Sequence, residues 1–176
     1  FSIDWDVVRS RITPRTKMII INTPHNPSGA VLLEKDLKEL EKIANESDLL
    51  VLSDEVYERL IFDGIRHESV LRYHGLADRC LAVFSFGKTF HATGWKVGYV
   101  VAPAHLTEEV RKAHQFIVFS VNTPIQLALA EYLQNPEHYL SLGKFYQQKR
   151  DFFLTQIKGS SFEPMACHGS YFQVLS

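Results

Sequence analysis

Short apolar runs alternate with polar turns along the first half of the chain. The run Met18–Ile21 is too short for a helix and rich in β-branched residues, so it predicts a buried strand. Leu49–Leu52 predicts a second strand, and apolar residues at helical spacing in Glu34–Glu46 predict a helix between the two. The order strand, loop, helix, strand is a βαβ unit, and such units build parallel sheets. The pattern therefore predicts an α/β fold.

Two further apolar runs, Cys80–Phe86 and Val97–Ala102, extend this pattern. Only about ten residues separate them, fewer than the dozen or more that a parallel crossover requires. We expect these strands to be antiparallel or not to be neighbours. Residues 106–158 have a helical pattern in which Pro124 and Pro136 mark helix starts.

The two ends of the chain also carry patterns. Asp4–Arg11 predicts a short amphipathic helix close to Phe1, where no initiator Met stands. The strand-like run Tyr171–Leu175 comes directly before the last residue, Ser176. A strand needs a neighbour to satisfy its backbone hydrogen-bonding groups, so we expect the chain to be part of a longer polypeptide.

Composition narrows the class of protein. A chain of 176 residues with 45% hydrophobic residues can bury one sizeable core. Its formal net charge of -1 argues against nucleic-acid and membrane partners, which usually attract a basic protein. The two cysteines, Cys80 and Cys167, form no disulfide framework, so we expect a cytoplasmic protein. No run approaches the roughly 18 apolar residues that a membrane-spanning helix needs.

The sequence has neither a complete P-loop nor a cluster of metal-binding histidines. Gly87-Lys88-Thr89 is similar to the end of a P-loop, but Ala82 stands where that loop requires an earlier glycine. The histidines are scattered rather than clustered at ligand spacing, so the sequence predicts no metal site.

Three polar loops follow the first three predicted strands: Thr23–Gly29, Ser53–Tyr57 and Ser85–Gly98. In open α/β sheets, ligands bind beyond the carboxyl ends of the strands. The loops are therefore expected to form one site. In the third, Lys88 stands among aromatic and small residues, where partial loss of hydration would favour the neutral, nucleophilic amine. The alternative is a solvated loop lysine.

The three loops together resemble the fold-type I pyridoxal-phosphate enzymes of the aminotransferase class I/II family. Ser85–Tyr99 resembles the family's lysine signature, and Ser53–Glu58 resembles its second signature. Thr23–Gly29 is similar to the family's Asn-Pro-Thr-Gly turn, with serine in place of threonine. The resemblance covers nearly the whole chain.

The resemblance implies roles for particular residues. Lys88 would bind pyridoxal 5'-phosphate covalently, and Asp54 would face the pyridine nitrogen of the cofactor. Tyr57 and Asn26 would bond to its phenolic oxygen. From the residues alone, Asp54 could instead be the N-cap of a following helix. Asn26 could equally be a turn residue held between two prolines.

The resemblance also implies a phosphate site. Ser85 and Lys96 match family positions that contact the cofactor phosphate. The second position is often arginine, so Lys96 would act as a point charge rather than a bidentate group.

The residue sequences of the motifs resemble those of the methionine and kynurenine aminotransferase branch of the family. This implies the transfer of an amino group from a large uncharged or aromatic amino acid to a 2-oxo acid. The alternatives are a cysteine-S-conjugate β-lyase with the same cofactor and an inactive, cofactor-free fragment. Four residues could shape a large substrate pocket, although core packing is the simpler account of the phenylalanines: Phe90, His91, Phe116 and Phe119.

The implied fold is that of fold-type I enzymes, with a central, mostly parallel sheet. Residues 1–158 would belong to the large cofactor-binding domain, and residues 159–176 would begin the small C-terminal domain. The substrate-carboxylate arginine and the aromatic residue that stacks on the cofactor would lie outside this sequence. Family members are usually homodimers, so we expect one here.

Overall fold

The computed structural model describes residues 1–176, which form eight α-helices and one four-stranded sheet. The strands are β1 (Met18–Asn22), β2 (Leu50–Asp54), β3 (Cys80–Ser85) and β4 (Gly98–Val101). The helices are α1 (Trp5–Arg11), α2 (Glu34–Glu46), α3 (His74–Ala77), α4 (Phe86–Thr89), α5 (Ala104–Ile117), α6 (Thr123–Tyr132), α7 (Glu137–Leu140) and α8 (Leu142–Gln156).

The strands lie in the order β1-β2-β3-β4. β1 and β2 are parallel, as are β2 and β3, whereas β4 returns antiparallel to β3. The register pairs Asn22 with Asp54, Asp54 with Val83, and Ser85 with Gly98. The mostly parallel sheet is confirmed, and the expected antiparallel relation of the last two strands is confirmed as well. The three loops predicted to form one site leave the same edge of this sheet.

One face of the sheet is covered by α2 and α3. Because Leu37 and Leu40 recur at helical spacing, α2 presents a continuous apolar stripe to the strands, and both side chains are fully buried. The main core cluster contains Ile21, Leu37, Leu40, Ala44, Val51, Val70, Leu76, Cys80, Ala82 and Phe84. The opposite face is more open, and Ile20 there is 70% exposed.

The helices after β4 are packed less tightly. Pro124 lies in the first turn of α6 and Pro136 is the N-cap of α7, as the sequence predicts. However, α5 has no buried residue. Phe116 is 87% exposed and Phe119 is 80% exposed, so core packing is the wrong account of these two residues.

The end of the chain folds back on the loop after β2. The predicted strand over Tyr171–Leu175 is wrong, because this stretch forms no regular strand and pairs only through the isolated bridge between Pro164 and Leu175 and the backbone hydrogen bonds beside it. The ring of Tyr171 instead packs edge-on against Tyr57, with ring centroids 5.3 Å apart. The domain division at residue 158 stays a prediction. No helix in the described chain is both long and apolar enough to cross a membrane.

Candidate active site

Asn22, the last residue of β1, joins two of the site's loops. Its side-chain Nδ2 donates a hydrogen bond to the backbone oxygen of Asp54 at 3.0 Å. Its Oδ1 accepts a hydrogen bond from the backbone N–H of Asn26 at 2.9 Å. The peptide bonds before Pro24 and Pro27 are cis. Asn22 therefore holds the loop after β1 against the end of β2.

The first loop is also closed internally. The backbone N–H of Gly29 donates to the oxygen of His25 at 2.8 Å, and the side-chain Nδ1 of His25 lies 2.7 Å from Ser28 Oγ. Gly29 has a φ of 69°, and a Cβ there would overlap the sulfur of Cys167. A larger residue at position 29 would therefore push the C-terminal segment away from the loop.

Asp54 is the half-buried last residue of β2. Its Oδ1 accepts a hydrogen bond from the backbone N–H of Val56 at 3.2 Å. The chain forms turns rather than a helix directly after Asp54, so the alternative in which this acid caps a helix is wrong. The carboxylate instead closes a tight turn and stays next to the first loop.

Tyr57 lies beside Asp54 and Asn26 and is only 2% exposed. Burial raises the pKa of its hydroxyl above the usual range, and the neighbouring Tyr171 and the negative charge of Asp54 add to the rise. The side chain of Asn26 acts in the opposite direction. The structure therefore brings together three of the predicted residues, which come from two different loops.

Lys88 lies in α4, the single helical turn that follows β3. Ser85 caps this turn, because its Oγ accepts a hydrogen bond from the backbone N–H of Gly87 at 3.2 Å. Thr93 Oγ1 donates to the oxygen of Gly87 at 3.1 Å and ties the next segment to the turn. Lys88 is half-buried, and its role as the cofactor lysine stays a prediction.

Lys96 lies on the exposed return from α4 to β4. Its backbone has a φ of 54°, in the left-handed region. The N–H of Phe86 donates to the oxygen of Val97 at 3.2 Å, and the register pairs Ser85 with Gly98. Ser85 and Lys96 therefore lie near the same end of β3, although their roles at a phosphate stay a prediction.

Sequence reasoning missed Glu55, the residue directly after Asp54. Its side chain is fully buried and contacts Ser53, His67 and the backbone of Val70. The signal available in the sequence was strand alternation, which turns adjacent residues to opposite faces and so places an acid on the core side of β2.

The side chains on these three loops match the chemical needs of pyridoxal phosphate. Lys88 offers an amine, Asp54 a carboxylate, Tyr57 a hydroxyl and Asn26 an amide. An aldehyde, a ring nitrogen and a phenolic oxygen are the groups of the cofactor that such side chains bind. The residues therefore fit this cofactor. No group of three or more His, Cys, Asp and Glu side chains in residues 1–176 could hold a metal ion.

Comparison with known proteins identifies relatives along the whole chain. The family model described as aminotransferase class I and II matches residues 1–175. Methionine aminotransferase from Escherichia coli strain K12 is 49% identical over 173 residues, which are 98% of this chain and 45% of that protein. Kynurenine–oxoglutarate transaminase from Dictyostelium discoideum is 36% identical over an alignment of 177 positions, gaps included, which covers 98% of this chain and 41% of that protein. The chain thus spans less than half the length of these relatives.

A solved structure has the same fold. The crystal structure of YbdL from Escherichia coli, for which a methionine aminotransferase function was identified, superposes with a TM-score of 0.97 at 47% identity. The superposition covers 99% of this chain and 46% of that one. The four-stranded sheet and its helices are therefore part of a fold-type I aminotransferase architecture.

Proposed function

Because the chain belongs to the aminotransferase class I and II family, we propose that the protein is a pyridoxal-phosphate-dependent aminotransferase. Its amino donor would be a large uncharged or aromatic amino acid of the methionine or kynurenine type, and its acceptor a 2-oxo acid. One observation carries the proposal: Asn26, Asp54, Tyr57 and Lys88 are held by three loops at one edge of the sheet. Bound pyridoxal phosphate would supply the electron sink for the reacting carbon.

Each side chain would have a distinct task. The amine of Lys88 would hold the cofactor. It would then take the proton from the α-carbon of the amino acid and pass it to the C4′ carbon of the cofactor. The carboxylate of Asp54 would keep a proton on the ring nitrogen, since a fixed negative charge favours the charged form of its neighbour. Tyr57 and Asn26 would hydrogen-bond to the phenolic oxygen, and Ser85 and Lys96 would bind the phosphate.

The substrate class is supported by the relatives. A methionine aminotransferase is 49% identical, and a kynurenine–oxoglutarate transaminase is 36% identical. Both are named for amino-group transfer, so transfer rather than β-elimination is the reaction we propose. We also propose a homodimer in the cytoplasm, a setting compatible with two free, buried cysteines.

Cofactor attachment tests the core of this proposal. The chain is incubated with pyridoxal phosphate, reduced with borohydride and digested, and the labelled peptide is identified by mass spectrometry. We expect the label on Lys88 and its loss in Lys88→Ala. Lys112→Ala is the matched control, because Lys112 is exposed and paired with Glu109 on α5. A label that survives in Lys88→Ala would contradict the assignment.

Substrate choice needs a separate assay. The formation of the 2-oxo acid is measured with methionine, kynurenine or aspartate as donor and one fixed 2-oxo acid as acceptor. We expect methionine and kynurenine to react faster than aspartate. A preference for aspartate would overturn the proposed substrate class while leaving the cofactor assignment intact.

A further inference from the structure

Glu55 is an acid without any solvent exposure, and three groups meet its carboxylate. Ser53 Oγ donates to Glu55 Oε1 at 2.9 Å, and the backbone N–H of Val70 donates to the same oxygen at 3.1 Å. His67 Nε2 lies 2.7 Å from the other oxygen, Oε2. A buried carboxylate is costly unless it is fully partnered, and here partners come from β2 itself and from the segment before α3. The place of Glu55 is therefore tightly determined.

The hydrogen bonds of Glu55 also affect Asp54, the residue just before it in the chain. Adjacent residues of a strand face opposite sides, so Glu55 is turned to the core and Asp54 to the open face. The backbone N–H of Glu55 donates to Val83 at 2.9 Å, and the backbone oxygen of Asp54 accepts from Thr23 at 3.0 Å. The chain turns directly after these two residues. Without the side-chain anchor of Glu55, the end of β2 would be held by these backbone bonds and by the side chain of Asn22, which donates to the backbone oxygen of Asp54.

We propose that Glu55 is a positioning residue. Through Ser53, His67 and Val70 it fixes the end of β2, so that Asp54 keeps its orientation towards the ring nitrogen of the cofactor. Glu55 itself would touch neither cofactor nor substrate. The inference rests on the proposed function for the role of Asp54, but the anchoring can be measured without any cofactor.

The amide of Val56 reports on Asp54 directly, because it donates to Asp54 Oδ1 at 3.2 Å. The hydrogen-exchange rate of this amide is measured in the cofactor-free chain and divided by the rate of the Leu40 amide, in the core of α2. This quotient is the Val56 exchange ratio. In Glu55→Ala we expect this relative exchange to rise by about tenfold, the effect of losing one net hydrogen bond. Glu55→Gln keeps the shape and one acceptor oxygen, so it should restore nearly the original ratio.

Two further variants make the result decisive. Glu41 is a half-buried acid that accepts a hydrogen bond from the backbone N–H of Gly75 at 2.8 Å, and Glu41→Ala should leave the Val56 ratio unchanged. If Glu55→Ala does not fold, Ser53→Ala removes a single partner and should raise the ratio by about threefold. An unchanged ratio in the folded variants would overturn the proposal, since Glu55 would then serve overall stability only.

A second measurement follows the consequence at the cofactor. Pyridoxal phosphate labelled with ¹⁵N at the ring nitrogen is bound to the wild-type chain and to Glu55→Ala, and its NMR shift is recorded. We expect the variant to move towards the unprotonated value; an identical shift would contradict positioning through Asp54. If the wild-type chain binds no cofactor, the proposed function fails, and the Val56 exchange ratio still tests the anchoring.

Discussion

The two faces of the sheet differ in how far their side chains are buried. On the face covered by α2, Ile21 and Phe84 are 7% and 6% exposed, and Val51 is fully buried. On the other face, Ile20 is 70% exposed and Asp54 is half-buried. Parallel sheets usually carry a packed layer on each face. The comparison teaches that the covered face supplies the stability of the described chain, while the open face and its edge carry the reactive groups.

The largest expected effect contrasts two neighbouring isoleucines of β1. Ile21→Ala should lower the free energy of unfolding by about 3 kcal/mol, because it leaves a cavity in the core. Ile20→Ala should change it by no more than about 0.5 kcal/mol, because that side chain is already mostly in solvent. Denaturant titration of both variants measures the difference. Equal losses would show that both faces are packed in solution.

The second-largest expected loss of stability concerns the packing of β4 against β3. A Cβ at Gly98 would overlap the carbonyl oxygen of Phe84 on β3, whereas a Cβ at Gly94 would meet no atom within 4 Å. Gly98→Ala should therefore destabilise the chain by about 2 kcal/mol through overpacking. Gly94→Ala is the matched control and should remain close to wild type in the same denaturant titration. A tolerated Gly98→Ala would mean that β4 separates easily from the sheet.

On the open face, Asn22 contributes through hydrogen bonds rather than apolar burial. Asn22→Ala removes its bonds to Asp54 and Asn26 and should cost about 1–2 kcal/mol. Asn45→Ala, at an exposed position of α2, should change stability by less than about 0.5 kcal/mol. Thermal unfolding of the two variants tests this. No loss in Asn22→Ala would show that the two loops hold their places independently.

The smallest effect lies away from both faces, at Asp63. Hydrogen bonds from Arg150 and His168 lower the pKa of this carboxyl from 3.8 to about 2. Because the folded pKa is depressed, the stabilisation is present above the unfolded pKa of 3.8 and is lost as the pH falls towards 2. Asp63 is 37% exposed, so solvent screening reduces its contribution to about 1 kcal/mol.

Asp63→Asn removes this contribution and should flatten the pH dependence of stability between about pH 4 and pH 2. Urea titrations at several pH values measure it, with exposed Asp78→Asn as the control. An unchanged slope in Asp63→Asn would show that the ion pair with Arg150 contributes nothing in solution.

Local patterns were sufficient to predict the strands and the loops at their ends. Met18–Ile21 and Cys80–Phe86 are continuous apolar runs, and a short run of this kind can be recognised without knowledge of its partners. Lys88 was singled out because it follows such a run among aromatic and small residues, whereas the role of Asp54 came from the resemblance to the aminotransferase family. Their placement at one edge followed from the parallel order of the first three strands.

Features that depend on distant partners could not be predicted. The burial of Glu55 fits strand alternation, but its partners His67 and Val70 lie 12 and 15 residues further along the chain, and no local pattern predicts that contact. Tyr171 belongs to a strand-like run, yet its ring packs on Tyr57 and the run forms no regular strand. At Tyr171, a tertiary contact is found where the local pattern predicts a regular strand.

The placement of two acids on opposite sides of β2 has a consequence for how the chain reaches its native state. A strand that pairs one residue out of step turns every side chain to the wrong side. Such a shift in register would place Asp54 in the apolar core and would expose Glu55 without its three partners. The misaligned form would carry an unpaired charge in apolar surroundings and would be strongly disfavoured. Asp54 and Glu55 thereby disfavour the pairing of β2 in the wrong register during folding.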